Sequence, residues 1–185
     1  MPADVSKDHC RSPTIGGMPA SAKLPFDPIE RAALLWDKKI GASTSMRLAT
    51  SIMRVQQLII AELDAALKPL GITFARYEVL VLLSFSSTGQ LPLSKIGERL
   101  MVHPTSVTNA MDRLEGQGLV RRVADSKDRR RTFAELTDEG QKVLIEATDK
   151  IMAIDFAIDG LTGRQQDEAY DLLRHLRASA GDFEE

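Results

Sequence analysis

LPLSKIGERLMVHPTSVTNAMDRLEGQGLVRRVADSKDRRRTFAELT, residues Leu91 to Thr137, is the stretch that decides the fold of this 185-residue chain. Its first segment, Pro92 to Met101, predicts a short helix. Pro92 suits the first helical position, where a missing N–H costs nothing, and Leu93, Ile96 and Leu100 recur on one face. The rhythm breaks at Val102-His103, and Pro104 restarts a helix with His103 as its N-cap at a sharp corner.

In the second helix Val107, Ala110, Met111 and Leu114 form one apolar stripe. Its opposite face holds Thr105, Asn109 and Asp112, flanked by Ser106, Thr108 and Arg113. Short hydroxyls and an amide are poor helix formers, but they approach base edges closely, and Asn can pair bidentately with adenine. Solvated surface polarity explains such a face equally well when it is taken alone. The residues after this helix decide between the two readings. Gly118 predicts a left-handed helix cap, and Leu119–Val123 and Thr132–Leu136 have strand character. Between and beside those strands lie Arg121, Arg122, Lys127, Arg129, Arg130 and Arg131, against Asp125 and Asp128. Positive charge concentrated on a ribbon directly after a groove-type helix is a footprint for phosphate, and a narrow minor groove attracts arginine. The expected fold class is mainly α with a small β-wing, a winged helix-turn-helix.

The pieces Asp112-Arg113-Leu114-Glu115, Gly118-Leu119-Val120, Asp128-Arg129-Arg130, and Leu136-Thr137 with Gly140 closely resemble the MarR family of bacterial transcriptional regulators. With its flanking helices the resemblance covers roughly residues 45 to 180. It implies a homodimer joined by N- and C-terminal dimerisation helices, binding double-stranded DNA at a pseudo-palindromic operator, as a repressor. Major-groove contacts then fall to Thr105, Ser106, Thr108 and Asn109, with Pro104 against a thymine methyl. Ser94, Lys95 and Arg113 are placed for backbone positioning, which sets register without carrying sequence. In the family an Asp-x-Arg carboxylate holds an arginine forward into the minor groove. Here those residues are Asp128 and Arg130, with Arg129 and Arg131 flanking on phosphates. The family commonly answers to small aromatic or phenolic ligands, for which Trp36, Met53, Tyr77 and Arg122 are the candidate lining residues. Plain packing is the alternative for the first three. A urate-responding branch also has an extra N-terminal helix with a Trp, but carries an arginine where this chain has Ala110, which argues against urate.

Composition limits the remainder. A net charge of −2 excludes a generally basic nucleic-acid coat, so DNA binding has to be local. A single cysteine, Cys10, excludes a disulfide framework and a Cys-rich metal site. No apolar run approaches the ~18 residues of a spanning helix, and no signal-peptide pattern opens the chain, so a cytoplasmic protein is expected. His9, His103 and His175 show no ligand spacing, and no catalytic motif is present, so neither an enzyme, a metal nor a cofactor is expected.

The expected organisation is a disordered tail over 1–25, then a single domain over 26–180. Within it, 72–136 form the DNA-binding part, and 26–68 and 137–180 the dimerisation helices. Asp27-Pro28-Ile29-Glu30 predicts a helix start, with Glu30 reaching back to complete the cap and Ile29, Ala33, Trp36 and Ile40 on the apolar face. Ser45–Lys68 is a long helix, apolar on more than one side, and Thr73 caps the next. Thr137 caps a helix running to Asp159-Gly160, and Thr162 with Gln165 caps the last, which carries Leu172, Leu173 and Leu176. Two other readings stay open: a winged domain for protein–protein contact, and redox sensing through Cys10.

Overall fold

The computed structural model describes residues 24–125 and 131–184, which divide between two compact units, 1–52 and 53–185. In the first unit α1 (Pro28–Lys39) starts as expected, with Pro28 in its first turn and Asp27 Oδ1 accepting the Ile29 N–H at 2.8 Å. Glu30 does not close a capping box. Its carboxylate lies 3.3 Å from Arg47 Nη1 on the following helix instead. Of the expected apolar face, Ala33 is buried while Trp36 and Ile40 remain exposed. Asp37 receives both the N–H and the hydroxyl of Ser43, which fixes the turn into α2 (Thr44–Leu67). Of α2 only Leu63 and Leu67 are buried; Leu48, Ile52, Val55 and Leu58 lie open.

The second unit continues from α2 through α3 (Phe74–Ser84), β1 (Gln90–Pro92), α4 (Leu93–Leu100), α5 (Pro104–Gly116), β2 (Val120–Ala124) and β3 (Thr132–Leu136) to α6 (Asp138–Ala153) and α7 (Gly163–Ser179). The ribbon expected as two strands is a three-stranded antiparallel sheet in the order β1-β3-β2. Pro92 therefore does not open α4 from inside. It closes β1 opposite Phe133 and stands at the N-cap of α4, an edge position that needs no N–H. Leu91 sits opposite Ala134, and both are buried. They join Leu67, Leu80, Leu83, Ile96, Met111, Leu114 and Ile151 in one core, where each fully buried Leu, Ile or Met contributes about 1.5–3 kcal/mol.

Thr73 occupies the N-cap position of α3, but its side chain makes no capping bond. Asp64, ten residues upstream on α2, accepts the Phe74 N–H at 2.7 Å and thereby ties the two helices together. Thr137 does cap α6: its hydroxyl accepts the Gly140 N–H at 3.0 Å and donates to the Gly118 carbonyl at 2.7 Å. Gly118 has φ +72°, the left-handed cap expected of it. Gly140 is required for another reason, since a Cβ there would stand 1.9 Å from the Leu119 carbonyl oxygen. The entry and exit of the wing are thus pressed against one another.

The helix expected to reach Asp159-Gly160 stops at Ala153. A short 3-10 turn, Asp155–Ala157, comes next, with φ of +46°, +53° and +60° at three successive non-glycine residues. Ile154 and Ile158 keep the helical rhythm in sequence, but the backbone has left the helix between them. α7 begins with the predicted cap, the Thr162 N–H donating to Gln165 Oε1 at 2.9 Å, and has no buried residue. Among the described residues no helix is long and apolar enough to cross a membrane, and no cluster of three or more metal-capable side chains occurs.

Candidate nucleic-acid interface

The corner between α4 and α5 is built by two local devices. Met101 turns left-handed at the end of α4 (φ +54°), and the Val102 N–H returns to the Gly97 carbonyl at 3.0 Å. His103 then caps α5 by accepting the Thr105 N–H on Nδ1 at 3.2 Å, with Pro104 next in the first turn. α5 buries Val107, Met111 and Leu114 against the core, which fixes its rotation about its own axis. Pro104, Thr105, Ser106, Thr108, Asn109 and Arg113 are consequently all exposed.

These exposed groups are not equivalent. The Thr108 hydroxyl donates to the Pro104 carbonyl at 3.1 Å, and the Thr105 hydroxyl lies 3.1 Å from His103 Nδ1. Ser106, Asn109 and Arg113 have no side-chain partner among the described residues. Ser94 and Lys95 are both exposed on the first turn of α4, where Lys95 Nζ lies 2.7 Å from Glu98 Oε2. An exposed pair of that kind is worth about 0–1 kcal/mol, so it is a weak competitor for a phosphate.

Sequence reasoning passed over one cation. Arg76, in the first turn of α3, borders with Thr73 a polar cleft of about 660 Å³ whose other wall carries Ser106, Asn109 and Arg113. It lies outside the stretch that announces the fold, and only the packing of α3 against α5 brings it there. No pattern along the chain could have found it.

The wing is less positive than its sequence suggests. Arg121 stands directly opposite Glu135 in the β2–β3 register and grips its carboxylate with two bonds, 2.9 Å from Nε and 2.8 Å from Nη2. This pairing holds the Glu135 carboxyl below the ordinary carboxylate range. Arg122 reaches back to α5, donating to Asp112 Oδ1 at 2.5 Å and to Glu115, whose carboxylate also receives the Arg122 backbone N–H at 2.9 Å. That backbone bond, and after it the guanidinium, depresses the Glu115 carboxyl. Two of the six basic residues of the wing are therefore neutralised by partners on other elements. Arg131 lies over the Phe133 ring, 5.6 Å from its centroid, and 4.0 Å from Asp125. Lys127, Asp128, Arg129 and Arg130 lie outside the described residues, as do His9 and Cys10.

The four candidate ligand residues are in unlike settings. The Arg122 guanidinium is engaged by both Asp112 and Glu115. Met53 and Trp36 are exposed. Tyr77 is buried on α3, its hydroxyl 3.2 Å from that of Thr148, and it borders an apolar pocket.

Comparison with known proteins gives this arrangement its relatives. The model of the MarR family matches residues 72–132, which contain α3 through β2. The HTH-type transcriptional repressor MdtR of Bacillus subtilis is 39% identical over 90 residues, or 49% of this chain; the match spans just over half, 57%, of that relative's length. Sco5413, a MarR family transcriptional regulator from Streptomyces coelicolor, superposes with a TM-score of 0.71 and 52% identity, over 77% of this chain and 99% of its own. Sco3205, a MarR family transcriptional regulator of the same organism solved in complex with DNA, is 26% identical with a TM-score of 0.66, covering 75% of this chain and 88% of its own. All of these are transcriptional regulators, and none is an enzyme. From a reading helix held by its buried stripe, a wing stapled root to root, and a near-complete match to a regulator of the same build, it follows that the chain belongs to the MarR family of transcriptional regulators.

Proposed function

We propose that the protein is a homodimeric repressor that binds a pseudo-palindromic DNA operator and is released by a small molecule. The observation that carries this reading is the row of exposed groups on α5, with Ser106, Asn109 and Arg113 unengaged, on a helix whose opposite face is locked into the core. A groove contact needs that combination, because the reading groups must be free and their carrier must not rotate. In this reading Thr105, Ser106, Thr108 and Asn109 address base edges. Arg76, Ser94, Lys95 and Arg113 contact phosphates, and Arg129, Arg130 and Arg131 belong to the wing, with Asp128 orienting Arg130. Residues 72–136 form the DNA-binding part, and 26–68 and 137–180 dimerise through apolar faces left open on α2 and α7. Two-fold symmetry places the half-sites about one helical turn, ~10 bp, apart.

The test is a gel-shift series on DNA from upstream of the protein's own gene. Arg130→Ala is expected to weaken binding by about 1–3 kcal/mol, and Asn109→Ala by a similar amount with relaxed preference at one base pair. Affinity should fall steeply with salt as counterions are released, and Arg113→Ala should reduce that slope by about one. Unchanged affinity in the Arg130 and Asn109 variants would overturn the assignment of the wing and reading helix.

A further inference from the structure

Beside the reading module lies a pocket of about 270 Å³, bordered by Phe74, Tyr77, Glu78 and Phe85 of α3 and its C-cap, Leu100 at the end of α4, and Phe156. Four of these residues are aromatic, and the Phe74 and Tyr77 rings are 5.9 Å apart with 32° between their planes. The Tyr77 ring is held in place by its hydroxyl contact with Thr148. Phe156 is supplied by the left-handed turn after α6, and Phe85 is 77% exposed, an unusual setting for a phenylalanine. Strained backbone and bare aromatic surface at one place are typical of a binding site rather than of a core.

Glu78 is the one ionisable carboxylate on this apolar wall, and no lysine, arginine or histidine borders the pocket. It has no hydrogen-bond or ion-pair partner among the described residues, and partial burial raises its carboxyl above the ordinary range. A carboxylate half-removed from water without a partner is unfavourable unless something positive arrives to meet it. Aromatic faces attract the same charge, and desolvated cation–π contacts strengthen as water is expelled.

We propose that the pocket formed by Phe74, Tyr77, Glu78, Phe85, Leu100 and Phe156 binds a small lipophilic organic cation, an aromatic amine or quaternary ammonium. An aromatic acid or phenolate is disfavoured there, since it would bring a second negative charge against Glu78 with no cation to offset it. The pocket volume suits a ligand of about one ring and a cationic head. Leu100 precedes the left-handed Met101 at the corner that orients α5, so a ligand against it meets the element that aims the reading helix. This regulatory consequence rests on the repressor reading; binding itself does not.

The experiment is isothermal titration calorimetry of the full chain without DNA, using benzyltrimethylammonium and benzoate as probes. The cation should bind, and benzoate should bind at least about tenfold more weakly. Glu78→Gln should weaken the cation about tenfold, and Phe85→Ala should weaken it several-fold. Neither change should lower the unfolding temperature, because one removes an unpartnered charge and the other truncates an exposed side chain. Absence of cation binding at millimolar concentration, tighter binding of benzoate, or an unchanged cation affinity in Glu78→Gln would each overturn the proposal. A gel shift on the same preparation separates the two readings: loss of all DNA binding would sink the repressor while leaving the calorimetry to stand alone.

Discussion

Two amphipathic helices of this chain differ in what became of their apolar faces. On α5 Val107, Met111 and Leu114 are sealed, the last two with no exposure at all. On α7 Leu172, Leu173 and Leu176 remain 74%, 43% and 53% exposed, and no residue of that helix is buried. The difference separates two ways of using a leucine stripe. The first anchors an element inside its own chain so that the opposite face can be presented at a fixed angle. The second holds a hydrophobic surface in reserve for a surface from elsewhere, and α2, with Leu48, Ile52, Val55 and Leu58 open, is in the same condition. Isolated exposed leucines need no explanation, but several along one helix do.

The sharpest way to break this comparison is to remove a sealed residue. Met111→Ala should destabilise the fold by about 2–5 kcal/mol in urea unfolding, the cost of a cavity in a packed core. A change under about 1 kcal/mol would show that α5 is not held by its stripe. Glu115→Gln, on the polar side of the same helix, should have a smaller effect of about 1 kcal/mol at neutral pH, because the pair with Arg122 is partly solvent-screened. The sign comes from a carboxyl depressed in the folded state: its stabilisation is present above the normal carboxylate pKa and is lost as pH falls through the folded value. Unfolding midpoints of wild type and variant should therefore converge toward acid, and a constant gap between neutral and strongly acidic pH would count against the ion pair. The smallest effect on the isolated chain is expected from Leu172→Ser with Leu176→Ser, under about 0.5 kcal/mol. That pair should instead abolish a dependence of the unfolding temperature on protein concentration. If the wild-type midpoint is independent of concentration, a second copy is not what covers α7.

What could be read along the chain was whatever is decided within a few residues. The corner before α5 is such a case, since Pro104 fixes its own φ and His103 caps the N–H two residues on. Gly118 and Thr137 are others. Reading failed where the partner is remote. β1 is three residues ending in proline, and it is a strand only because β3, far along the chain, pairs with it. Thr73 is a plausible cap by spacing, yet Asp64 from the preceding helix takes the Phe74 N–H. The charge count over the wing failed in the same way, because Asp112 and Glu115 of α5 and Glu135 of β3 consume two of its arginines. For the site, residue types and spacing pointed to Asn109 and Arg113, but Arg76 became visible only once α3 was packed beside them.

The hold of Arg122 on Asp112 and Glu115 has a mechanical consequence. A rod bolted to its handle at two points transmits rotation without slack. The root of β2 and the outer face of α5 are bolted in this manner, so a tilt imposed on the reading helix is delivered to the wing in the same movement. In the proposed operator complex, engagement of the major groove by α5 and of the neighbouring minor groove by the wing then could not be adjusted separately. Under the proposed repressor reading, an operator variant that asks for one without the other would be met as a misfit at both, and a releasing ligand that turned the corner by a small angle would withdraw the two together.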